Sequence, residues 1–201
     1  MQSPPPSSPT TPSVRARHLQ RWLKNVAHEE DPWRGRFFAA LSSDVREAIE
    51  GAMPEVWLPM AHHVLFADLM ADAFGPARAH DYYRRDFVAS LRRPPFASLV
   101  KTGARVLGIT PAGFLRWSGR VYQAVFRAAG TAEGEVLGPG HGRLSYVGLP
   151  PMCTASDPWL DSAQGSLYGM YDFLGTRGGV VRLDKSRRAE GRLDLELEWT
   201  P

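Results

Sequence analysis

Six histidines, one cysteine and a surplus of arginines are the side chains with which this chain could do chemistry. His62 and His63 are neighbours, so on a helix they point about 100° apart and cannot chelate one ion together. His18, His28, His80 and His141 have no partner at ligand spacing, and no metal site is expected. A lone histidine can hold haem iron from one axial side, which keeps a haem-based gas sensor as a second alternative. Cys153 follows Pro150–Pro151 with no base beside it and reads as a buried, inert thiol. As the only cysteine it rules out an intrachain disulfide and a thiolate cluster. Ser166 lies in QGSLYG, outside the Gly-x-Ser-x-Gly frame of a nucleophile elbow. No phosphate loop or dinucleotide fingerprint occurs, and the glycines of GPGHG suit a hairpin tip. Asp157, Asp161 and Asp172 are separated acids on one helix rather than a carboxylate pair. No catalytic residue and no cofactor is expected, and the protein is read as a non-enzyme.

The net charge is +3, and arginine carries nearly all of the positive side, since the lysines are Lys24, Lys101 and Lys185 alone. Gly108-Ile109-Thr110 between two helical stretches sets Ala104, Gly108, Ile109, Phe114 and Trp117 close to helix-turn-helix spacing. Arg116 and Arg120 would then face a major groove. Gly103 occupies a place that wants an apolar side chain, and the following helix is apolar over much of its girth. DNA binding through Arg116 and Arg120 is therefore the alternative, and nucleic acid is not the expected partner. The stronger signal is an excess of large apolar and aromatic side chains: Phe66, Trp117, Tyr122, Phe126, Tyr168 and Tyr171. These suit an apolar pocket, a dimer face or plain core. A pocket also needs a few polar groups to orient its guest. The candidate ligand-binding residues are accordingly His62, Trp117, Arg120, Tyr122 and Tyr168, for a small apolar ligand or a protein partner, with a homodimer face as the other use of the same surface.

The element that must position these residues is Thr110 to Gly130, TPAGFLRWSGRVYQAVFRAAG. Thr110 is an N-cap, Pro111 suits the first turn, apolar residues recur at helical spacing and Gly130 supplies the stop. Before this spine the chain reads as helices: Val14 to Ala27, with Leu19, Trp22, Leu23 and Val26 on one stripe; a packing segment through Trp33, Phe37, Phe38 and Leu41; a short helix opened by Asp44 with Glu47 completing a capping box; Pro59 to Phe74; Pro76 to Leu91; and a face made by Phe96, Leu99, Val100, Gly103 and Leu107. After it the pattern becomes hairpin, helix, hairpin. Glu135–Leu137 and Arg143–Leu149 flank one turn. Asp157 to Leu174 is a helix closed by Gly175. Gly179–Asp184 and Arg192–Trp199 flank the second turn, and in the last strand Leu193, Leu195, Leu197 and Trp199 alternate with acids, as a strand with one wet face must. Gly165 and Gly169, one turn apart, predict close approach of another backbone, that of the sheet or the spine.

The expected class is α+β: an N-terminal helical part, 14–130, then a small antiparallel sheet, 131–201, packed on the long central helix as one domain. Residues 1–13 are Pro, Ser and Thr and read as a disordered tail. An apolar fraction of 43% and a charged fraction of 22% are those of an ordinary globular chain. The opening has no secretion-signal pattern, no window approaches the ~18 apolar residues of a membrane span, and a cytoplasmic location is expected.

Three stretches, LSSDVREAIEGAMPEVWLPMAHH, RVLGITPAGFLRWSGRVYQAVFRAAG and LDLELEWT after LPPMC, resemble a large paralogous family of uncharacterised myxobacterial proteins over Phe37 to Trp199. More remotely, helices followed by hairpin–helix–hairpin are similar to the superfamily of the 4-vinyl-reductase-like domain, the haem–nitric-oxide-binding domain and the TRAPP subunits. That resemblance implies a small-molecule pocket or a dimer surface; the Tyr-x-Ser-x-Arg signature of the haem branch is absent. The function expected is a non-enzymatic ligand- or partner-binding module with a regulatory or signalling role.

Overall fold

The computed structural model describes residues 11–93, 97 and 110–200. The expected face through Leu99 and Leu107 and the turn at Gly108 lie outside them, as do residues 1–10. The chain is α+β, helices first and antiparallel sheet second.

Strand β1 (Ser13–Arg15) leads into helix α1 (Ala16–Val26), whose Ala16, Leu19, Trp22, Leu23 and Val26 form the buried stripe that the spacing predicts. Ser13 is buried and paired, so the tail expected to reach residue 13 stops short of it. Helix α2 (Trp33–Ala40) buries Phe37. Helix α3 (Ser43–Glu50) is capped by Ser42, whose hydroxyl accepts from the Val45 amide, two residues before the expected start at Asp44. Ser and Asp are equally good caps, and Ser42 wins by holding the extended backbone a cap requires. Strand β2 (Trp57–Pro59) precedes α4 (Met60–Phe74), and Gly75, at φ +78°, turns the chain into α5 (Pro76–Leu91).

The central helix α6 (Pro111–Val125) has Thr110 as its cap, accepting from the Gly113 amide at 3.1 Å. It ends five residues before Gly130. Phe126–Arg127 turn extended and become β3, which pairs with β1 through Val14 and Phe126. Pairing with a strand over a hundred residues away outcompetes the helical pattern there. The result is a small sheet ordered β2-β1-β3 that ties the first turn of α1 to the last turn of α6.

The second sheet holds β4 (Thr131–Gly138), β5 (His141–Val147), β6 (Val180–Asp184) and β7 (Leu193–Glu198) in the order β4-β5-β7-β6, antiparallel throughout. Leu144, Leu195 and Leu183 stand opposite one another across three strands, and Leu193, Leu195 and Leu197 are fully buried while the intervening acids are not. Between the hairpins lie the short α7 (Pro151–Ala155) and the long α8 (Asp157–Leu174), capped by Ser156 and closed by Gly175 at φ +69°. The close approach expected at Gly165 and Gly169 is made to α5. A Cβ on Gly165 would meet the His80 carbonyl at 2.8 Å, and one on Gly169 would run into that of Arg84. Sheet, α6 and α8 form one wall of the molecule and α1, α4 and α5 the other.

Candidate functional site

The two walls do not close completely. Between α1, α4, α5, α6, α8 and the β4–β5 hairpin lies a cavity of about 120 Å³, lined mostly by apolar groups: Trp22, Phe87, Phe114, Val121, Val125, Phe126, Leu144, Trp159 and Leu167 among them. The aromatic rings are in contact along it. Tyr146, Tyr122 and Phe126 follow one another with centroids 5.3 and 4.7 Å apart, and Phe126 presents its edge to His63 at 5.1 Å.

The polar part of the wall is concentrated at the α1–α4–α5 corner. Asp86 of α5 accepts four hydrogen bonds, from Arg21 Nε (3.1 Å) and Nη2 (3.0 Å), Trp22 Nε1 (2.8 Å) and Asn25 Nδ2 (2.7 Å). Three of those donors sit on consecutive turns of α1, which is why one carboxylate can collect them. A buried ion pair holds its place only with such additional bonds. Beside it Arg21 Nη2 reaches His18 Nδ1 at 3.1 Å, His18 Nε2 faces His63 Nε2 at 3.2 Å, and Trp159 Nε1 donates to His63 Nδ1 at 2.8 Å. Trp22 stacks on His63, centroids 4.5 Å apart. Burial, with the Arg21 charge adding to it, lowers the His63 pKa to about 3 and holds His18 well below the ordinary imidazole value. Both rings are neutral at pH 7.

On the α6 side the hydroxyl of Tyr122 donates to the Ala129 carbonyl at 2.7 Å, while that of Tyr146 makes no hydrogen bond among the described residues. Ser118 and Ser162 turn their hydroxyls back onto carbonyls of their own helices at 2.9 and 2.6 Å. Burial raises both tyrosines well above their ordinary pKa, so both are neutral phenols. Among the described residues no group of three metal-ligating side chains forms, and no helix is long and apolar enough to cross a membrane.

No family model matches the chain, and no curated protein matches it. Among solved structures, a Tt H-NOX domain carrying two phenylalanine substitutions aligns with 93% of this chain and 95% of its own, at a TM-score of 0.52 and 12% identity. The fold is H-NOX-like. That places the helical part, the sheet and the central helix in one known architecture, and it extends to the fold alone.

Of the candidate ligand-binding residues, Tyr122 lines the cavity of this H-NOX-like fold. Tyr168 is outside its lining, exchanging hydrogen bonds with the backbone of Val181. Trp117 packs on Phe114, 6.0 Å between centroids, with its buried indole N–H unpartnered. His62 is half-buried on the far side of α4 from His63 and does not border the cavity, and Arg116 and Arg120 stand exposed on α6. Cys153 is buried, its thiol pushed up to about 12 by burial. Sequence reasoning missed His18, His63, Asp86 and Tyr146. The available signal was that His18 and Asn25 flank the apolar stripe of α1, and that His63 falls in register with Met60, Phe66, Ala67 and Met70 on the buried side of α4.

Proposed function

We propose that this chain is a non-enzymatic, ligand-binding sensor module whose guest occupies the cavity between the helical wall and the sheet wall. The observation that carries the reading is the cavity itself: apolar over most of its surface, with one corner of oriented polar groups, the combination by which small-molecule sites fix a guest. Nothing in that corner is arranged as a nucleophile with its base, since both histidine Nδ1 atoms are engaged by donors.

The H-NOX-like fold raises haem as a guest, and the residues present do not fit it. A cavity of about 120 Å³ is of the size that takes up benzene, ~150 Å³ in an engineered protein, and a tetrapyrrole is several times larger. An axial histidine must offer a bare nitrogen and normally donates its other N–H. His63 has that other nitrogen occupied by the indole N–H of Trp159, which can only donate.

Thermal melting tests the reading. A guest that binds the folded state alone raises the melting temperature with the logarithm of its concentration. A panel of small apolar and aromatic molecules, each at two protein concentrations, is expected to contain members that raise it. A dimer face would instead make the midpoint depend on protein concentration. No response to any member of the panel would overturn the proposal.

A further inference from the structure

The row Arg21–His18–His63–Trp159 contains one acceptor too few. Arginine and tryptophan side chains are donors only, and a neutral imidazole carries one N–H and one bare nitrogen. His18 accepts from Arg21 at Nδ1 and His63 accepts from Trp159 at Nδ1. The single proton of each ring therefore sits on Nε2, and the two Nε2 atoms face each other at 3.2 Å. Two N–H groups are left pointing at one another. Switching the tautomer of either ring only moves the conflict to Arg21 or Trp159. Adding a proton to either ring worsens it, and burial beside Arg21 opposes that charge. A metal ion between the rings fails for the same reason, because baring both Nε2 atoms would put an N–H at each Nδ1 against a donor. What resolves the row is an oxygen atom that accepts from both Nε2–H groups. An unpartnered buried donor is costly, so this corner is built to reward such an atom.

Both rings line the cavity. We propose that the guest of this cavity is an uncharged molecule of about benzene size that presents one acceptor oxygen, of the carbonyl class, to the paired Nε2–H groups of His18 and His63. The proposal rests on the ligand-binding reading above and specifies the chemistry of its ligand. The guest is uncharged because Arg21 already shares both oxygens of Asp86, leaving no free counter-ion at that corner, and an unpaired buried charge is prohibitive. It carries a carbon frame, and is not one water, because the space beyond the histidines is apolar and walled by Phe114, Val121 and Phe126.

The probes are cyclopentanone and methylenecyclopentane, which share a shape and differ by oxygen against CH₂. Their binding to the full chain is measured by calorimetry, with ¹⁵N spectra of the labelled imidazoles. The ketone is expected to bind about tenfold more tightly, the size of one net hydrogen bond and one donor relieved. Both rings should then report the Nε2–H form, with both Nε2 signals moved by the ketone. His63→Phe should abolish the preference and His63→Gln, which keeps a donor N–H, should retain it. Should the phenylalanine variant fail to fold, the probe pair and the spectra on the unaltered chain still decide. Hydrocarbon binding as tight as ketone binding would overturn this inference and leave the ligand-binding reading standing, as would Zn²⁺ added alone displacing the Nε2 protons. Failure of both probes and of the wider panel would overturn both.

Discussion

The two interfaces that α8 makes are built on opposite terms. On one side Gly165 and Gly169 let the backbone of α5 come so close that no Cβ fits between them, and Arg84 clamps the seam through two bonds to Asp172 at its exposed edge. On the other side Trp159, Ser162 and Ser166 of the same helix border a cavity of about 120 Å³. Interiors normally leave few voids larger than a water molecule. A helix able to pack without gaps along one face yet left open along the other shows that the open side is not a failure of the sequence to fill space. It is the side on which polar groups converge. Dry, complementary packing at the α5–α8 seam and in the sheet supplies rigidity, and the α1–α4 corner is held open by hydrogen bonds that an apolar filling would leave unmet.

The largest effect should come from removing the anchor of the open corner. Asp86→Ala leaves Arg21, Trp22 and Asn25 without their shared acceptor. Breaking one partner of a buried ion pair costs about 3–5 kcal/mol, and urea unfolding should register a loss of that order. A loss near zero would mean that the corner is not held by this carboxylate. Next is the packed side. Leu195→Ala in β7 should cost about 2–5 kcal/mol through lost burial and the hole it leaves, because Leu195 is fully buried between Leu144 and Leu183. Its neighbour Glu196, on the wet face, should tolerate alanine within about 0.5 kcal/mol. Gly165→Ala follows at about 1–3 kcal/mol, the usual cost of overpacking, since its new methyl meets the His80 carbonyl.

Acid should weaken the open corner in particular. Between the ordinary imidazole pKa of 6.5 and the value of about 3 for His63, the unfolded chain binds a proton that the folded chain refuses. Stability therefore rises with pH across this window and is lost as pH falls from 6.5 towards 3, by at most about 1.4 kcal/mol per pH unit for that one ring. His18, shifted the same way, adds to the slope. Chemical denaturation at pH 7, 6, 5 and 4 should show the decline, and His63→Gln should flatten it. An unchanged slope in that variant would place the acid sensitivity elsewhere.

The contrast also marks where sequence reasoning succeeds. The alternation of β7, the stripe of α1 and the Ser156-to-Gly175 span of α8 are legible because each is written in contiguous periodicity and end signals. The β2-β1-β3 sheet is not, because strands of two or three residues are too short to show a period and Phe126 continues the helical pattern into a strand. Glycine spacing announces a close approach at Gly165 and Gly169 without naming the partner, and the partner is α5. The histidine pair was illegible for a related reason. His62 and His63 are adjacent in the chain and diverge, whereas His18 and His63 are separated by 45 positions and meet because α1 and α4 face each other across one corner.

The comparison is sharpened most by adding carbon on the open side of the same helix. Ala163 borders the cavity two residues before Gly165, which faces the seam. Leucine is nearly as good a helix former as alanine, so Ala163→Leu changes little except the amount of apolar side chain directed at the void. Filling a real cavity commonly gains about 0.5–2 kcal/mol, the opposite sign to the one expected for Gly165→Ala. The same substitution should also blunt the rise in melting temperature produced by cyclopentanone, because guest and side chain compete for one space. The two readouts separate the explanations. A gain in stability with loss of the guest response identifies the void as the binding site. A gain with the guest response intact would put the guest elsewhere, and a loss of stability would mean that this side of α8 is as tightly packed as its seam with α5.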